Sequence, residues 1–323
     1  MRFSIPAALV ALALVLTTAP AAPARAQDDS AALTLIVDWF LNPDHAPIVV
    51  AQEKGYFADA GLDVTIREPA DPNNPPKLVA AGKADLAVSY QPQLHLHADA
   101  GLPLQRIGTL VATPLNTVLA LDGGPVQEIA DLKGRKVGFS VGGFEEVVLG
   151  TLLESAGLSR EDVELVNVNF SLSPALLSQR VAAVVGAYRN FELNQLEIEG
   201  AKGRAFYPEE HGVPAYDELI FVAHEDRTDD PALRAFIDAV ARGVQYLVNH
   251  PAESYDLFVG AHPDLDDELN RKAWTDTLPR FALRPAALDT ARYARFADFL
   301  HQRGLIDTPP PVDTYAVELP SGE

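Results

Sequence analysis

The composition and charge of the chain exclude or disfavour several classes of protein. It has 323 residues, 48% of them hydrophobic, and 45 acidic against 25 basic side chains give a formal net charge of −20 at pH 7. This hydrophobic share supports full cores and two domains of ordinary size, whereas the charge disfavours nucleic acids and anionic membranes as partners. The absence of cysteine excludes disulfides, thiolate catalysis, thiolate zinc sites and a lipid-bearing cysteine.

The first 26 residues have the pattern of a secretory signal peptide. Arg2 provides the positive start, residues 5–16 are apolar, and Ala24-Arg25-Ala26 is an A-x-A cleavage signal. The apolar run is too short for a membrane-spanning helix. We therefore expect cleavage near Ala26 and a monomeric mature protein that diffuses freely in the periplasm.

Short strands and helices alternate over the first two thirds of the chain, which is typical of doubly wound α/β sheets. The first block predicts strands at 35–39, 62–66, 86–88, 106–112 and 117–121, and helices at 45–52, 77–81 and 94–100. After a break at 122–125, the second block predicts strands at 136–140, 163–168 and 182–185, and helices at 129–132, 145–156, 174–179 and 188–199. From Leu219 onward the pattern is mostly helical, with helices predicted at 231–248, 252–259, 266–278 and 287–303.

The helices of the last third have no predicted strands of their own, so the economical arrangement packs them onto the first block. We therefore predict a discontinuous lobe 1 of residues 27–121 and 218–323. Residues 122–217 form lobe 2, and each lobe is a doubly wound sheet flanked by helices.

The loop after the first predicted strand gathers several polar and aromatic side chains. It carries Asp38, Trp39, Asn42, Asp44 and His45. In an open parallel sheet, ligands bind in the crevice outside the carboxyl ends of the strands, so this loop is a candidate wall of a binding site. The alternative is that Trp39 belongs to the core and the polar residues cap a helix, and the local pattern leaves both open.

A gapless internal correspondence places a tyrosine at the same point of both blocks. Residues 78–90 and 176–188 each run from a short helix into an apolar strand and end in Tyr90 and Tyr188 respectively. Two similar lobes would each present a tyrosine to the crevice between them. Helix–strand units of α/β proteins also resemble one another by chance.

A second candidate wall follows Tyr188. Glu192 is four residues further on, so on a helix the two side chains share a face. A buried carboxylate beside aromatic rings suits a ring nitrogen next to an exocyclic amine, because it accepts from the amine and favours protonation of the ring nitrogen. Trp39, Tyr90 and Tyr188 can supply flat stacking faces. The alternative for Glu192 is an exposed helix glutamate.

The chain lacks the sequence motifs of α/β hydrolases, metalloproteases and P-loop proteins. His95 and His97 are two residues apart, which puts them on different faces of a helix, so we interpret them as exposed histidines rather than zinc ligands. The acidic pair Glu145-Glu146 is interpreted as a solvated face or helix start.

The glycine-rich turn at 140–146 could cradle an anion at a helix start. Glu145 and Glu146 already satisfy that helix end, and the turn has no lysine or arginine, so an anion is disfavoured unless Arg189 reaches it. We retain four further candidates for ligand contacts, namely Asn116, Gly142, Gly143 and Phe144.

Four segments carry a resemblance that extends from about residue 33 to about residue 305: DWFLNPDHAPIVVAQEKGYFADAGLDV, GKADLAVSYQP, DLKGRKVGFS and AYRNFE. They resemble the thiamin-pyrimidine family, which joins periplasmic binding proteins for thiamin pyrimidine precursors with enzymes that make hydroxymethylpyrimidine phosphate. The resemblance implies an α/β, two-lobed periplasmic binding protein fold of type II character with a hinge. It also implies a protein that closes on a small-molecule solute and delivers it to the membrane permease of an ABC importer.

The resemblance also implies a set of ligand-binding residues. The aromatic and acidic positions of the family pocket fall on Trp39, Tyr90, Tyr188 and Glu192. The polar contacts that accompany them fall on Asp38, Asn42, His45 and Asn190.

The enzyme branch of the family has a lysine after the G-K-x-D strand, which holds pyridoxal phosphate, and a cysteine-rich segment downstream. This chain has Ser89 at the lysine position and no cysteine. We therefore expect a binding protein without a cofactor, whose solute is hydroxymethylpyrimidine or its formylamino analogue. The alternatives are a riboflavin-like heteroaromatic, a sulfonate or nitrate, and a pyridoxal-phosphate-dependent synthase.

Overall fold

The computed structural model describes residue 1 and residues 30–319, so the predicted cleavage site near Ala26 lies outside the described residues. The strands are β1 (Ala31–Ile36), β2 (Leu62–Arg67), β3 (Leu86–Ser89), β4 (Leu104–Val111), β5 (Asn116–Leu121), β6 (Lys136–Phe139), β7 (Glu164–Asn167), β8 (Ala183–Tyr188), β9 (Gly203–Phe206) and β10 (Leu219–His224).

Helices flank the strands and dominate the last third of the described chain. The α-helices are α1 (Ala46–Glu53), α2 (Tyr56–Asp59), α3 (Pro75–Ala80), α4 (Gln91–Asp99), α5 (Phe144–Ser155), α6 (Leu172–Leu177), α7 (Glu192–Ile198), α8 (Pro231–Asn249), α9 (Pro251–Ala261), α10 (Glu268–Thr277) and α11 (Thr290–Gln302). Short 3-10 turns include Pro43–His45, just before α1, and Ile129–Leu132. None of the described helices combines the length and the apolar character needed to cross a bilayer.

The strands form two five-stranded mixed sheets of matching design. Their orders are β2-β1-β3-β10-β4 and β7-β6-β8-β5-β9. In each sheet the first three strands are parallel, and the fourth runs antiparallel to both of its neighbours. The chain passes from the first sheet to the second after β4 and returns after β9. The fourth strand of each sheet, β10 or β5, is the first strand that follows such a crossing.

The pairing of β5 corrects the predicted lobe boundary. β5 bonds to β8 and β9, so it belongs to the second sheet, whereas the boundary after residue 121 assigned it to lobe 1. The physical reason is that the sequence of an apolar strand does not indicate which sheet the strand joins. From here on, lobe 1 is the part of the molecule around the β1 sheet and lobe 2 the part around the β6 sheet.

Strand β10 was not predicted in the mostly helical stretch that begins at Leu219. Its first five residues, Leu219 to Ala223, form a continuous buried apolar run, and the strand lies between β3 and β4. Periodicity cannot distinguish such a run from a buried helix segment. β9 was likewise not predicted, whereas the four long helices of the last third lie close to their predicted bounds.

His95 and His97 are buried on α4, which corrects their interpretation as exposed histidines. Their exposed fractions are 0% and 6%. The ring of His95 stacks on Phe296 with centroids 5.4 Å apart and meets Tyr315 edge-on. Burial lowers the pKa of His95 to about 3, so this ring is a neutral part of the core.

Helix α1 is fixed by close packing against α8. A Cβ added at Gly243 of α8 would lie 2.3 Å from the carbonyl oxygen of Pro47, so the two backbones approach at a distance that only glycine allows. Six consecutive residues of α1, from Ala46 to Ala51, are buried. This packing anchors the loop that precedes α1 and carries candidate ligand-binding residues.

Candidate functional site

A cleft lies between the two sheets, where the carboxyl ends of β1, β3, β6 and β8 meet. The space between its walls, together with open solvent at its mouth, amounts to about 500 Å³. Its lining comes from both lobes and consists of Asp38, Trp39, Asn42, Asp44, His45, Tyr90, Asn116, Val141, Phe144, Glu145, Leu172, Gly186, Tyr188, Phe191 and Glu192.

On the wall from lobe 1, Asp38 holds two other predicted site residues in place. One oxygen of its buried carboxylate lies 2.9 Å from Nε2 of His45, and the other accepts the hydroxyl of Tyr90 at 3.0 Å. Nδ1 of His45 accepts a hydrogen bond from the backbone N–H of Asn42 at 3.3 Å. Nε2 therefore carries the ring proton and donates a hydrogen bond to Asp38. Asp38 and His45 therefore orient the ring of Tyr90 and the loop.

Asn42 and Trp39 have different roles at the mouth of the cleft. The side-chain oxygen of Asn42 accepts the N–H of Asp44 at 2.8 Å and caps the 3-10 turn. Trp39 is partly buried and meets Phe170 of lobe 2 edge-on, with ring centroids 4.6 Å apart. Trp39 thus lines the cleft and also touches the opposite lobe.

Tyr188 and Glu192 form the wall from lobe 2, in a geometry that corrects the predicted one. Tyr188 is the last residue of β8, and α7 begins only at Glu192, so the two do not share a helix face. Instead, the Glu192 carboxylate accepts the backbone N–H of Tyr188 at 2.6 Å. Glu192 is 7% exposed, which excludes the surface alternative, and burial raises its pKa to about 7.

Glu145 is a cleft residue that the sequence pattern missed. It lies in the first turn of α5, as predicted, but it is buried rather than solvated, and its carboxylate accepts the N–H of Ser140 at 2.7 Å. Burial raises its pKa to about 8. A Cβ at Gly186 would lie 2.2 Å from Glu145 Oε1, and Gly186 has φ of +96° at a register shift in β8. Only glycine at this bulge leaves room for the carboxylate.

Asp44 and Asn190 connect the lobes beside the cleft. Asp44 Oδ1 accepts from Nδ2 of Asn190 at 2.6 Å and lies 3.1 Å from the hydroxyl of Thr277. Asp44 lines the cleft, whereas Asn190, predicted as a ligand contact, lies behind it and is 1% exposed. Asp44 Oδ2 has no partner among the described residues, and burial raises the pKa of this carboxyl to about 6.

The glycine-rich turn of lobe 2 is bound to lobe 1 rather than open to the cleft. The N–H of Gly142 donates to Asn73 Oδ1 at 2.9 Å, and the N–H of Phe144 donates to Gln93 Oε1 at 3.1 Å. Gly142 and Gly143 are absent from the cleft lining. Two of the donors that could cradle an anion are therefore already used by side chains of the other lobe.

Phe144 and Asn116 line the cleft. The ring of Phe144 stacks on Tyr90 at a centroid distance of 6.0 Å. The side-chain oxygen of Asn116 accepts the N–H of Gly186 at 3.1 Å.

The cleft is acidic. Its lining contains four carboxyl groups, at Asp38, Asp44, Glu145 and Glu192, and among the residues that the structure describes it contains no lysine or arginine. Arg189 lies outside this lining and pairs with Glu209 at 2.6 Å. The arrangement therefore suits a ligand that donates hydrogen bonds or carries positive charge.

Comparison with known proteins identifies the family. A family model described as NMT1/THI5 like matches residues 42–254. The chain belongs to the NMT1/THI5-like family. A Haemophilus influenzae relative named as a thiamine biosynthesis protein is 53% identical to this NMT1/THI5-like chain over 89% of the chain and 92% of the relative. A formylaminopyrimidine-binding protein from Halalkalibacterium halodurans is 38% identical over 72% of each.

The family contains proteins with enzyme names as well. A Legionella pneumophila relative named 4-amino-5-hydroxymethyl-2-methylpyrimidine phosphate synthase is 28% identical to this NMT1/THI5-like chain over 77% of the chain and 80% of the relative. Among solved structures, the alkanesulfonate-binding protein SsuA from Xanthomonas axonopodis superposes with a TM-score of 0.70 at 16% identity, over 89% of this chain and 98% of that one. The predicted α/β, two-lobed periplasmic binding protein fold is thereby confirmed.

Proposed function

We propose that the chain is the periplasmic solute-binding subunit of an ABC importer and that its solute is a thiamin pyrimidine precursor of the hydroxymethyl or formylamino type. One observation carries the proposal. The buried carboxylate of Glu192 lines a cleft that also contains the rings of Trp39, Tyr90 and Tyr188, and residues 30–319 contribute no lysine or arginine to its lining. Rings supply flat apolar faces for a heteroaromatic ring, and the carboxylate supplies an acceptor for its amine.

The pKa of Glu192 makes it a suitable partner for an aminopyrimidine. Because burial raises this pKa to about 7, both forms of the carboxyl group are accessible near neutral pH. An exocyclic amine that donates to the carboxylate, next to a ring nitrogen that takes a proton, would stabilise the ionised form. The relative named as a formylaminopyrimidine-binding protein supports this class of solute.

Transport in this proposal depends on closure of the lobes. Cross-lobe hydrogen bonds from Asn73, Gln93 and Asn190 flank the cleft, so the described state is one in which the lobes touch. A ligand that contacts both walls shifts the population toward this state. The closed form is then the species presented to the permease.

A sulfonate or nitrate is a poorer solute for this cleft. An anion would meet four carboxyl groups and no basic side chain in the described lining. The backbone donors of Gly142 and Phe144 are occupied by lobe 1. The likeness to an alkanesulfonate-binding protein, at 16% identity, concerns the fold alone.

The chain lacks the lysine that a pyridoxal-phosphate-dependent synthase of this family would need. At the position where the enzyme branch has a lysine, this chain has Ser89, and a hydroxyl cannot form a Schiff base with pyridoxal phosphate. We therefore propose that the chain binds its pyrimidine without converting it. An absorbance scan after addition of pyridoxal phosphate should show no internal aldimine, and its appearance would overturn the binding-only proposal.

The test of the solute is a thermal-shift panel with hydroxymethylpyrimidine, formylaminopyrimidine, thiamin, riboflavin, taurine and nitrate. A ligand present at about 100 times its dissociation constant stabilises the protein by roughly 2.7 kcal/mol. We expect a clear rise in melting temperature with one or both pyrimidines and none with taurine or nitrate. Stabilisation by the anions alone would refute the proposed solute.

A further inference from the structure

A second, smaller cavity lies behind the wall that Asp38 and Tyr90 form. It shares Asp38, Tyr90 and Val141 with the cleft, and Ser89 and His97 are among its other lining residues. Its free space has room for about one water molecule. The cavity therefore adjoins the cleft.

Two buried polar groups of this cavity have no hydrogen-bond partner among residues 30–319. Ser89 is 2% exposed and its Oγ is unpaired, and His97 is 6% exposed and its Nδ1 is unpaired. Leaving one buried polar group unpaired costs about 1–3 kcal/mol. Two such groups in one small cavity indicate an occupant that hydrogen-bonds to both.

The neighbours of His97 determine which ring nitrogen carries the proton. Phe144 N–H donates to Gln93 Oε1, so the amide nitrogen of Gln93 is the atom that faces His97 Nε2, at 3.1 Å. An amide nitrogen only donates, so Nε2 accepts and the proton of the neutral ring lies on Nδ1. Burial, with a smaller contribution from Lys77, lowers the pKa of His97 to about 4. The cavity thus holds an N–H donor and a hydroxyl.

We infer, on the basis of the proposed function, that this cavity is a subsite for a carbonyl oxygen on the side chain of the pyrimidine, bound by His97 Nδ1 and Ser89 Oγ. A carbonyl oxygen can accept both hydrogen bonds. In a formylamino side chain the oxygen is two bonds farther from the ring methylene than in a hydroxymethyl group. The formylamino oxygen therefore has the longer reach toward a cavity that shares Asp38, Tyr90 and Val141 with the cleft. The subsite selects formylamino over hydroxymethyl precursors.

The size of the cavity adds a second requirement. Room for about one water molecule suffices for the oxygen and hydrogen of a formyl group but not for an additional methyl group. An acetylamino analogue should therefore bind more weakly than the formylamino compound, although its carbonyl is chemically the same.

The test compares Ser89→Ala with a matched control, Ser254→Ala. Ser254 is also a fully buried serine without a partner for its hydroxyl, but it lies on α9, away from both cavities. Binding of formylaminopyrimidine and hydroxymethylpyrimidine is measured by calorimetry for the wild type and both variants, after thermal melts show that the variants are folded.

We expect the wild type to bind the formylamino compound more tightly than the hydroxymethyl compound. Ser89→Ala should weaken the formylamino compound about three- to tenfold and change the other less than about twofold, while Ser254→Ala changes neither. Equal losses for both ligands, or no loss for either, would show that the subsite is wrong and leave the pyrimidine solute standing. If the wild type binds neither pyrimidine, the proposed function fails and the subsite fails with it.

Discussion

At the scale of single residues, Glu192 carries the specificity that we propose. Its carboxylate is buried, lines the cleft and accepts a short hydrogen bond from the backbone of Tyr188. A glutamine at this position keeps an oxygen that can accept this N–H. What glutamine removes is the negative charge that an aminopyrimidine would use.

Glu192→Gln should therefore weaken an aminopyrimidine about ten- to a hundredfold, because hydrogen bonds to charged groups contribute roughly 1.5–3 kcal/mol. A flavin, which lacks the amine beside a ring nitrogen, should lose less than about threefold. Titration calorimetry measures both. Glu199→Gln, an exposed glutamate at the end of the same helix, is the control and should change neither affinity. Equal losses for the two ligands would refute the contact between carboxylate and amine.

At the scale of elements, the contacts of α7 and α10 hold the lobes together beside the cleft. Asn190, just before α7, bonds to Asp44 and to Thr277 at the end of α10, and Asn194 of α7 donates to Asp276 at 2.8 Å. Thr277 is fully buried and absent from the cleft lining. It therefore contributes to closure without touching a ligand in the cleft.

Thr277→Val removes the hydroxyl and keeps the shape of the side chain. We expect the dissociation constants of all ligands to rise by a common factor of roughly three to ten, because affinity is reduced by the fraction of closed protein. Small-angle scattering of the ligand-free variant should show a larger radius of gyration. Thr275→Val, on an exposed face of α10, is the control. A loss confined to one ligand would mean that Thr277 acts by direct contact instead.

At the scale of the whole molecule, burial raises the pKa values of carboxyl groups in the cleft and of Glu218, which lies outside the lining and 3.4 Å from the hydroxyl of Tyr188. The pKa values of Glu192 and Glu218 are raised to about 7 and that of Glu145 to about 8, with desolvation as the largest cause each time. Each folded pKa lies above its unfolded value, so the native state binds more protons than the unfolded state up to about pH 8. Stability from these groups is present at low pH and is lost as the pH rises through those values.

The ligand-free protein should therefore become less stable between about pH 6.5 and about pH 8.5, by on the order of 2 kcal/mol from Glu145 alone. The window begins at the ordinary pKa of histidine, because below it the buried His95 and His97, with lowered pKa values, act in the opposite direction. Denaturant unfolding at several pH values measures the slope. Glu145→Gln, which cannot ionise, should flatten it, and an unchanged slope in this variant would contradict the assignment.

The local sequence pattern alone located most of the helices and strands. It also pointed to the main aromatic and acidic candidates for ligand binding. Alternation and turn residues placed most helices and strands within a few residues, and the matched segments at 78–90 and 176–188 pointed to a tyrosine after β3 and at the end of β8. These features depend on neighbours in the chain, because apolar periodicity and helix ends are set within one or two turns.

Only the tertiary structure decided which of these residues face the cleft and which hold the lobes together. Asn190 and Gly142 turn to the other lobe, Glu145 is buried against Gly186, and β5 joins the second sheet. Each depends on partners at least forty residues away. The physical reason is that burial, hydrogen-bond partner and strand neighbour are properties of two segments at once. An amino-acid pattern states only the chemistry that each segment brings.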